Sequence, residues 1–579
     1  MHSPDNYWLR TLKTRASRRT LLAAGGGGAI GLAALATVGC GGDDDDNGGP
    51  SSTLPTTSVK ENPDTAKQGG TWRIYGDAVN EPHDPTISTN TAAAFWNYIG
   101  DRAIDVEPTT NLLTGSLIEK WEQPSPDQAV LHVRAGAKWH NKAPVNGRAV
   151  NAEDIANALL AHAGRLDTTG GKAVYPRKGS FALIEKIEAT DEKTVVLKMS
   201  AANNGILPGL ADWRLPMFPK EQLTIGFADS NKLIGSGPWV VDPGYANGTD
   251  FKSDFVLTRN ADYWDKPRPY IERVESTINQ DQAARTAAFL ADKIDFLATF
   301  RSPYVEIQSL LQRKPDAQFV SWRFGHWHYT RFNTQKDPWK DPRVRRAIFL
   351  ALNHAQIGDG FYGSGNWYFT GPLPYTFTKF ALSPDDVSKL AGWNPATKDK
   401  DIAEAKQLMS SAGYPDGEIT VSDLVFSLAQ NTANTTRLKD QLEKVWPKIK
   451  FTIDGKPDSA TFYSTTAKME YDLQCASIYP VPDPVSELIG HYSTTGGRNY
   501  GKYSNPSIDT KLTAALAEFN ESALKQKLVE IQNVLIDEMP IMTHYAANLT
   551  ALYGKDVRGL KDAHGPGVSS AAVKRLSFA

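Results

Sequence analysis

The apolar stretch from Leu21 to Val38 decides what kind of chain this is. It reaches about 18 residues, the lower edge of a membrane span. Gly25 to Gly28 dilute it, which suits the apolar part of an export signal better than a stable spanning helix. The chain as a whole has the 40 % apolar and 22 % charged composition of an ordinary soluble protein. Wholesale disorder, collagen and a multi-span membrane protein are therefore excluded. The 579 residues correspond to about four domain equivalents. A formal charge of −2 gives no basic field for nucleic acid, and two cysteines exclude a disulfide scaffold. The 14 Trp, 21 Tyr and 22 Phe suit a large core and a pocket for an organic ligand.

Residues 1–40 read as an address. Arg10, Lys13, Arg15, Arg18 and Arg19 make its basic region, and Ser17-Arg18-Arg19-Thr20-Leu21-Leu22 resembles the twin-arginine export motif, whose pathway carries folded cargo. The segment ends Thr37-Val38-Gly39-Cys40, and small residues before a Cys resemble the lipobox of bacterial lipoproteins. That resemblance implies that Cys40 becomes a lipidated N-terminus. The alternatives are a plain cleaved signal and an uncleaved anchor. Residues 41–69 are rich in Gly, Asp, Ser, Thr and Pro and read as a solvated tether. Asp43 to Asp46 lack the alternating spacing of a calcium loop and belong to that tether. Cleavage before Cys40 leaves 58 basic and 64 acidic residues, a balance of −6. Cys475 is then the one non-lipidated thiol and reads as buried and structural.

From Gly70 onward short strands and helices alternate without a visible repeat. Strands are expected over 71–75, 129–134, 193–199, 293–296, 319–332, 419–426 and 449–453. Helices are expected from Asn151 onward and over 281–289, 342–352, 402–412, 436–446 and 522–538, with strands returning over 539–553. The fold class is mixed α/β in at least two lobes.

Seven segments in order resemble the family 5 extracytoplasmic solute-binding proteins of ABC importers, the peptide, dipeptide and nickel binder group. They are Trp121 to His140 with its terminal Arg134-Ala-Gly-Ala-Lys-Trp-His140, Asn151-Ala-Glu-Asp-Ile155, Gly235-Ser-Gly-Pro-Trp239, Arg259-Asn-Ala-Asp-Tyr-Trp264, Phe332-Asn-Thr334 through Asp341-Pro-Arg-Val-Arg345, Gly413-Tyr-Pro-Asp-Gly417, and Asn499 through Tyr503-Ser-Asn-Pro506. The resemblance covers about residues 70–579. It implies a two-lobed periplasmic-binding-protein clamp of class II type that closes by a hinge around its ligand. Lobe one would span 70–300, with an extra subdomain near 95–215. Lobe two would span 301–540, and 541–579 would return to lobe one. It implies further a lipid-anchored, monomeric receptor outside the cytoplasmic membrane, passing a peptide-like or other small organic solute to a permease, with no cofactor and no nucleic acid. A ligand-sensing protein signalling to a membrane sensor is the rival reading.

In peptide-binding members an Asp in lobe two holds the ligand's amino group, three residues before the acid of an Asp/Glu-Pro pair. The pair here is Asp483-Pro484, which puts Pro480 at the anchoring position and Ser477 where a Trp is frequent. Asp483 takes the anchoring role if the loop shifts; otherwise it shapes a Pro-rich loop. Read as a strand, residues 322–331 place Trp322, Phe324, His326 and His328 on one face and Arg323, Trp327, Tyr329 and Arg331 on the other. Trp327, Tyr329 and Arg331 are candidate contacts for an anionic or aromatic ligand. His326 and His328 lack a third ligand residue, so no metal site is assigned. Tyr479, Arg498, Tyr500, Asn80 and Glu81 are further candidates by position. No Gly-x-Ser-x-Gly or His-Glu-x-x-His occurs, Tyr503 spoils a phosphate loop at 496–503, and Gly363-Ser-Gly365 is no dinucleotide fingerprint, so no enzyme is expected.

Overall fold

The computed structural model describes residues 66–76, 83–88, 91–107, 112–166, 175–242, 254–279, 281–299, 302–560 and 573–579. The signal, most of the tether, Cys40, Asn80 and Glu81 lie outside the described residues. Among the described residues no helix is long and apolar enough to cross a membrane.

Lobe one is built on a four-stranded sheet in the order Thr71–Gly76, Arg273–Ile278, Phe255–Arg259, Trp239–Val241, its first pair parallel and the rest antiparallel. A second four-stranded sheet, all antiparallel, lies within 118–199. Its strand Gln128–Val133 alternates half-buried and buried residues, as its sequence predicts. The helix Ala152–His162 contacts its strands and starts with a capping box between Asn151 and Asp154.

Lobe two is built on a seven-stranded sheet that also joins the lobes. Its order is Phe296–Ala298, Ile541–Tyr553, Gln318–Phe332, Leu473–Ile478, Thr420–Phe426, Lys450–Lys456, with Trp367–Tyr368 paired beside Ile541–Tyr553. The two long strands, Gln318–Phe332 and Ile541–Tyr553, run antiparallel, and their register breaks between Arg323 and His326, opposite Asn548 and Ala547. Gly325 sits in the break at φ +74, a conformation that glycine adopts at no steric cost.

The cores change at this break. Val320, Ala551 and Tyr553 pack into the lobe-one core, and Phe319 and Leu552 into a satellite core with Phe289, Ile307 and Leu310. Beyond the break, Trp327, Tyr329, Ile541, Met542, Tyr545 and Ala547 pack into the two cores of lobe two. Val320 thus packs with the lobe-one core and Ile541, Met542, Tyr545 and Ala547 with the cores of lobe two. The chain pattern alone places a boundary between elements; here two strands each run through both lobes.

Candidate ligand cleft

The strand segment Trp327–Phe332 pairs with Leu473–Ile478, whose chain then passes through 479–483 into the helix Pro484–Tyr492. The faces alternate as the sequence predicts. Trp327 and Tyr329 lie side by side with ring centroids 4.7 Å apart, and His326 and His328 do the same at 4.8 Å on the opposite face.

The first face is covered by the helix Pro484–Tyr492. Arg331, 1 % exposed, donates from Nη1 to Gln474 Oε1 at 2.5 Å and from Nη2 to His491 Nδ1 at 3.0 Å. Its guanidinium lies over the rings of Tyr329 and Tyr500 at 5.0 and 5.2 Å. Because His491 Nδ1 accepts from Arg331, its proton sits on Nε2, which faces Glu487 Oε1 at 3.3 Å. Burial pushes His491 down to about 4, so it is neutral at pH 7. Glu487 also holds Arg498 at 3.2 Å and accepts the backbone N–H of Val481. Burial raises its carboxyl, but the groups around it, His491 and then Arg498 first among them, outweigh that and hold it below the ordinary glutamate value.

The second face meets aromatic and amide groups. Tyr479 stacks on His326, centroids 4.5 Å apart and planes at 27°. Below them His328 stacks on Tyr545, and its ring nitrogens face Tyr362 Oη at 3.1 Å and Asn434 Nδ2 at 3.3 Å. Both nitrogens of His328 are thus engaged by the fold, and among the described residues no cluster of three metal-ligating side chains occurs.

Asp483 is 1 % exposed and caps the helix Pro484–Tyr492, accepting the backbone N–H of Ser486 at 2.6 Å. Burial raises it to about 6. It stands at the seam between lobes: a Cβ on Gly205 would lie 2.6 Å from its Oδ2. The void there, lined by Phe181, Asn203, Gly205 and Asp212 on one side and Val481 and Asp483 on the other, measures about 30 Å³, the share of one water. Nearby, Asn204 donates from Nδ2 to Ala515 O at 2.9 Å and Glu518 O at 2.5 Å, and from its backbone N to Leu516 O. Arg214, paired with Asp212 at 2.6 Å, feels the charge of Glu487 from across the seam. The lobes meet here directly, as in a closed clamp.

The structure therefore brings Trp327, Tyr329, Arg331, Arg498 and Tyr500 into one cluster, puts Tyr479 on the other face, and sets Asp483 at the seam as a helix cap. Trp327 and Tyr329 are buried under a helix rather than laid open on a cleft wall. Sequence reasoning passed over Glu487, His491 and Asn204. The Glu487/His491 spacing of four, one face of a helix, was the available signal.

The family model for bacterial extracellular solute-binding proteins, family 5 middle, matches residues 113–500. The chain belongs to this family. The resemblance read from seven short segments is borne out, and with it the reading as a binder rather than an enzyme, since the relatives are solute-binding proteins. The periplasmic murein peptide-binding protein MppA of Escherichia coli K12 is 26 % identical over 321 residues, 54 % of this chain and 56 % of that protein. The heme-binding protein A of Haemophilus influenzae is 23 % identical over 75 % of this chain and 78 % of its own. Among solved structures, the Helicobacter pylori binding protein DppA in complex with the peptide STSA superposes with a TM-score of 0.73 at 20 % identity, covering 88 % of this chain and 98 % of that one. This likeness carries the two-lobed α/β fold.

Proposed function

We propose that this family 5 protein is the extracytoplasmic receptor of an ABC importer, lipid-anchored through Cys40, which captures a peptide-like or other small organic solute by hinge closure and hands it to a membrane permease. The observation that carries the reading is the pair of long strands that pass from one core to the other and break register together at Arg323 and His326. A clamp needs such a joint, because two rigid cores then rotate about a few backbone torsions. The relatives' names supply the solute range: murein peptide for one and heme for another. Tyr479, Asp483, Arg498 and Tyr500, with Asn80 and Glu81, are the proposed first residues to probe for ligand contact; Trp327, Tyr329 and Arg331, buried beneath the helix Pro484–Tyr492, are proposed to support that wall, and no catalytic step is assigned to any of them.

The test is mass spectrometry of molecules released by denaturation from protein purified from its native membrane, with small-angle scattering of the emptied and refilled protein. The receptor reading expects a small solute whose return shrinks the radius of gyration. A protein that binds solute and contracts, but crosslinks to a sensor and not to a permease, would establish the signalling alternative. Lipidation at Cys40 predicts a mass gain of acyl chains on the mature N-terminus, lost with Cys40→Ala.

A further inference from the structure

We infer that lobe two takes hold of the solute by a carboxylate, received at the N-terminus of the helix Ala429–Val445 by Gln430 and Ser477; the inference rests on the receptor reading and names its solute class. The parallel strands Thr420–Phe426 and Leu473–Ile478 both end at this point, and the crevice past the carboxyl ends of parallel strands is where α/β sheets bind ligands. The helix that follows has 17 residues, yet its N-cap is Leu428, which offers no side-chain acceptor. Its first turn keeps the partial positive charge and the outward N–H groups that suit an anion.

A second observation points to a ligand there. Gln430 is 1 % exposed, and neither its amide oxygen nor its amide nitrogen has a hydrogen-bond partner; the hydroxyl of Ser477 has none either. Their placement follows from two fixed contacts. Asn434 reaches His328 at 3.3 Å, so Gln430, four residues nearer the helix N-terminus, stands near the level of His326, two residues nearer the start of the strand. The two steps, about 6.0 and 6.6 Å, match. Cys475 Sγ lies 3.7 Å from Asn431 O, and Ser477, the next residue on that face, pairs with His328 in the ladder, one strand step from the level of His326. The stacked His326 and Tyr479 wall the place off.

The contrast with the layer beneath is informative. Asn434, His328, Tyr362 and Tyr545 bond to one another there. A buried polar group without a partner costs free energy, and Gln430 and Ser477 border that bonded layer without one. Asp423 on the strand below is 0 % exposed and engaged by Thr435 and the backbone N–H of Cys475, so its carboxylate is not directed into the place. A solute carboxylate would accept from Gln430 Nε2, Ser477 Oγ and a first-turn N–H.

The test compares acetate with acetamide, its neutral isostere, as stabilisers of the full mature protein at constant chloride ionic strength. Acetate is expected to raise the melting temperature more than acetamide, and the difference to vanish in Gln430→Leu/Ser477→Ala, a loss of ten-fold or more in apparent affinity. Gln430→Glu keeps the size and the polarity and is expected to abolish the acetate preference by like-charge repulsion. Equal effects of the two probes, or an acetate preference that survives both variants, would overturn the inference. A neutral or cationic copurifying solute that contracts the protein would also overturn it while leaving the receptor reading intact. An acetate preference lost in the variants, with no solute contracting the protein, would sink the receptor reading alone.

Discussion

The side-chain amide of Asn204 lies 2.9 Å from the carbonyl oxygen of Ala515, 311 residues later in the chain and in the other lobe. The C-terminal carbonyls of the helix Pro506–Leu516 need partners from beyond the helix: Ala515 O takes the backbone N–H of Glu518 and, from the other lobe, the amide of Asn204. Opening the clamp must break this bond and its neighbour to Glu518. Each contributes about 1 kcal/mol net, because water replaces it in the open state. Asn204→Ala is expected to speed solute release roughly thirty-fold and leave the association rate nearly unchanged, since interface changes act mostly on dissociation. Stopped-flow release of the copurified solute measures this; an unchanged release rate would mean the bond is idle.

Glu487 sets a carboxylate into the cluster of Arg331, His491 and Arg498, accepting from Arg498 Nη1 at 3.2 Å and standing 3.3 Å from His491 Nε2. Glu487→Gln leaves two guanidinium groups beside a neutral imidazole. Removing one partner of a buried pair costs roughly 3–5 kcal/mol, and the partial exposure of Arg498 puts the expected loss at or below the lower end of that range. Urea unfolding at pH 7 reads it directly. A loss below about 0.5 kcal/mol, the size of an ordinary surface effect, would show that the cation–π contacts of Arg331 with Tyr329 and Tyr500 suffice.

What the sequence carried was mostly framework. Asp101 accepts Tyr263 Oη, Trp264 Nε1 and Ser236 Oγ, which accounts for the Asp-Tyr-Trp segment and the Gly-Ser-Gly-Pro turn in one stroke. Gly235 and Gly237 press on the backbone of Ile99, where no Cβ fits. Asp154 of the Asn-Ala-Glu-Asp segment binds Trp139 and Arg148. These motifs are local, and their spacing reveals them. The strand faces at 326–329 were legible for the same reason, since a strand has a fixed period of two. Whether a face meets solvent, ligand or another helix depends on elements 150 residues away in sequence, such as Glu487 and His491. Gln430 stayed hidden for a different reason. Its helix was expected from 436, because the first two turns, from Ala429 to Thr435, are polar and start without a capping side chain.

Asp423 gives a pH dependence with a definite sign. Burial raises its carboxyl to about 7 from an ordinary value of 3.8, so the native state holds a proton that the unfolded chain releases. That contribution to stability is full below 3.8 and is lost as pH rises through 7. Asn at this position stays neutral at every pH and keeps an acceptor for the backbone N–H of Cys475. The melting temperature of Asp423→Asn relative to the parent is therefore expected to climb from pH 4 to pH 7 and level off above it. A difference that is flat over this range would mean that Asp423 is ionised in the folded protein.

Gly325 tests the joint itself. At φ +74 a residue with a side chain is strained by about 1–3 kcal/mol, and a Cβ here would also run into the side chain of Thr376. Gly325→Ala is expected to lower stability by more than the backbone strain alone. Adding Thr376→Ala removes the collision and leaves the backbone term, so the double variant should recover part of the loss but not all. Urea unfolding of the two variants separates the terms. Full recovery would mean that the register break tolerates any backbone conformation and that only packing selects glycine. No loss at all in Gly325→Ala would mean that the strand straightens at the break, and the joint would then have to lie elsewhere along Gln318–Phe332.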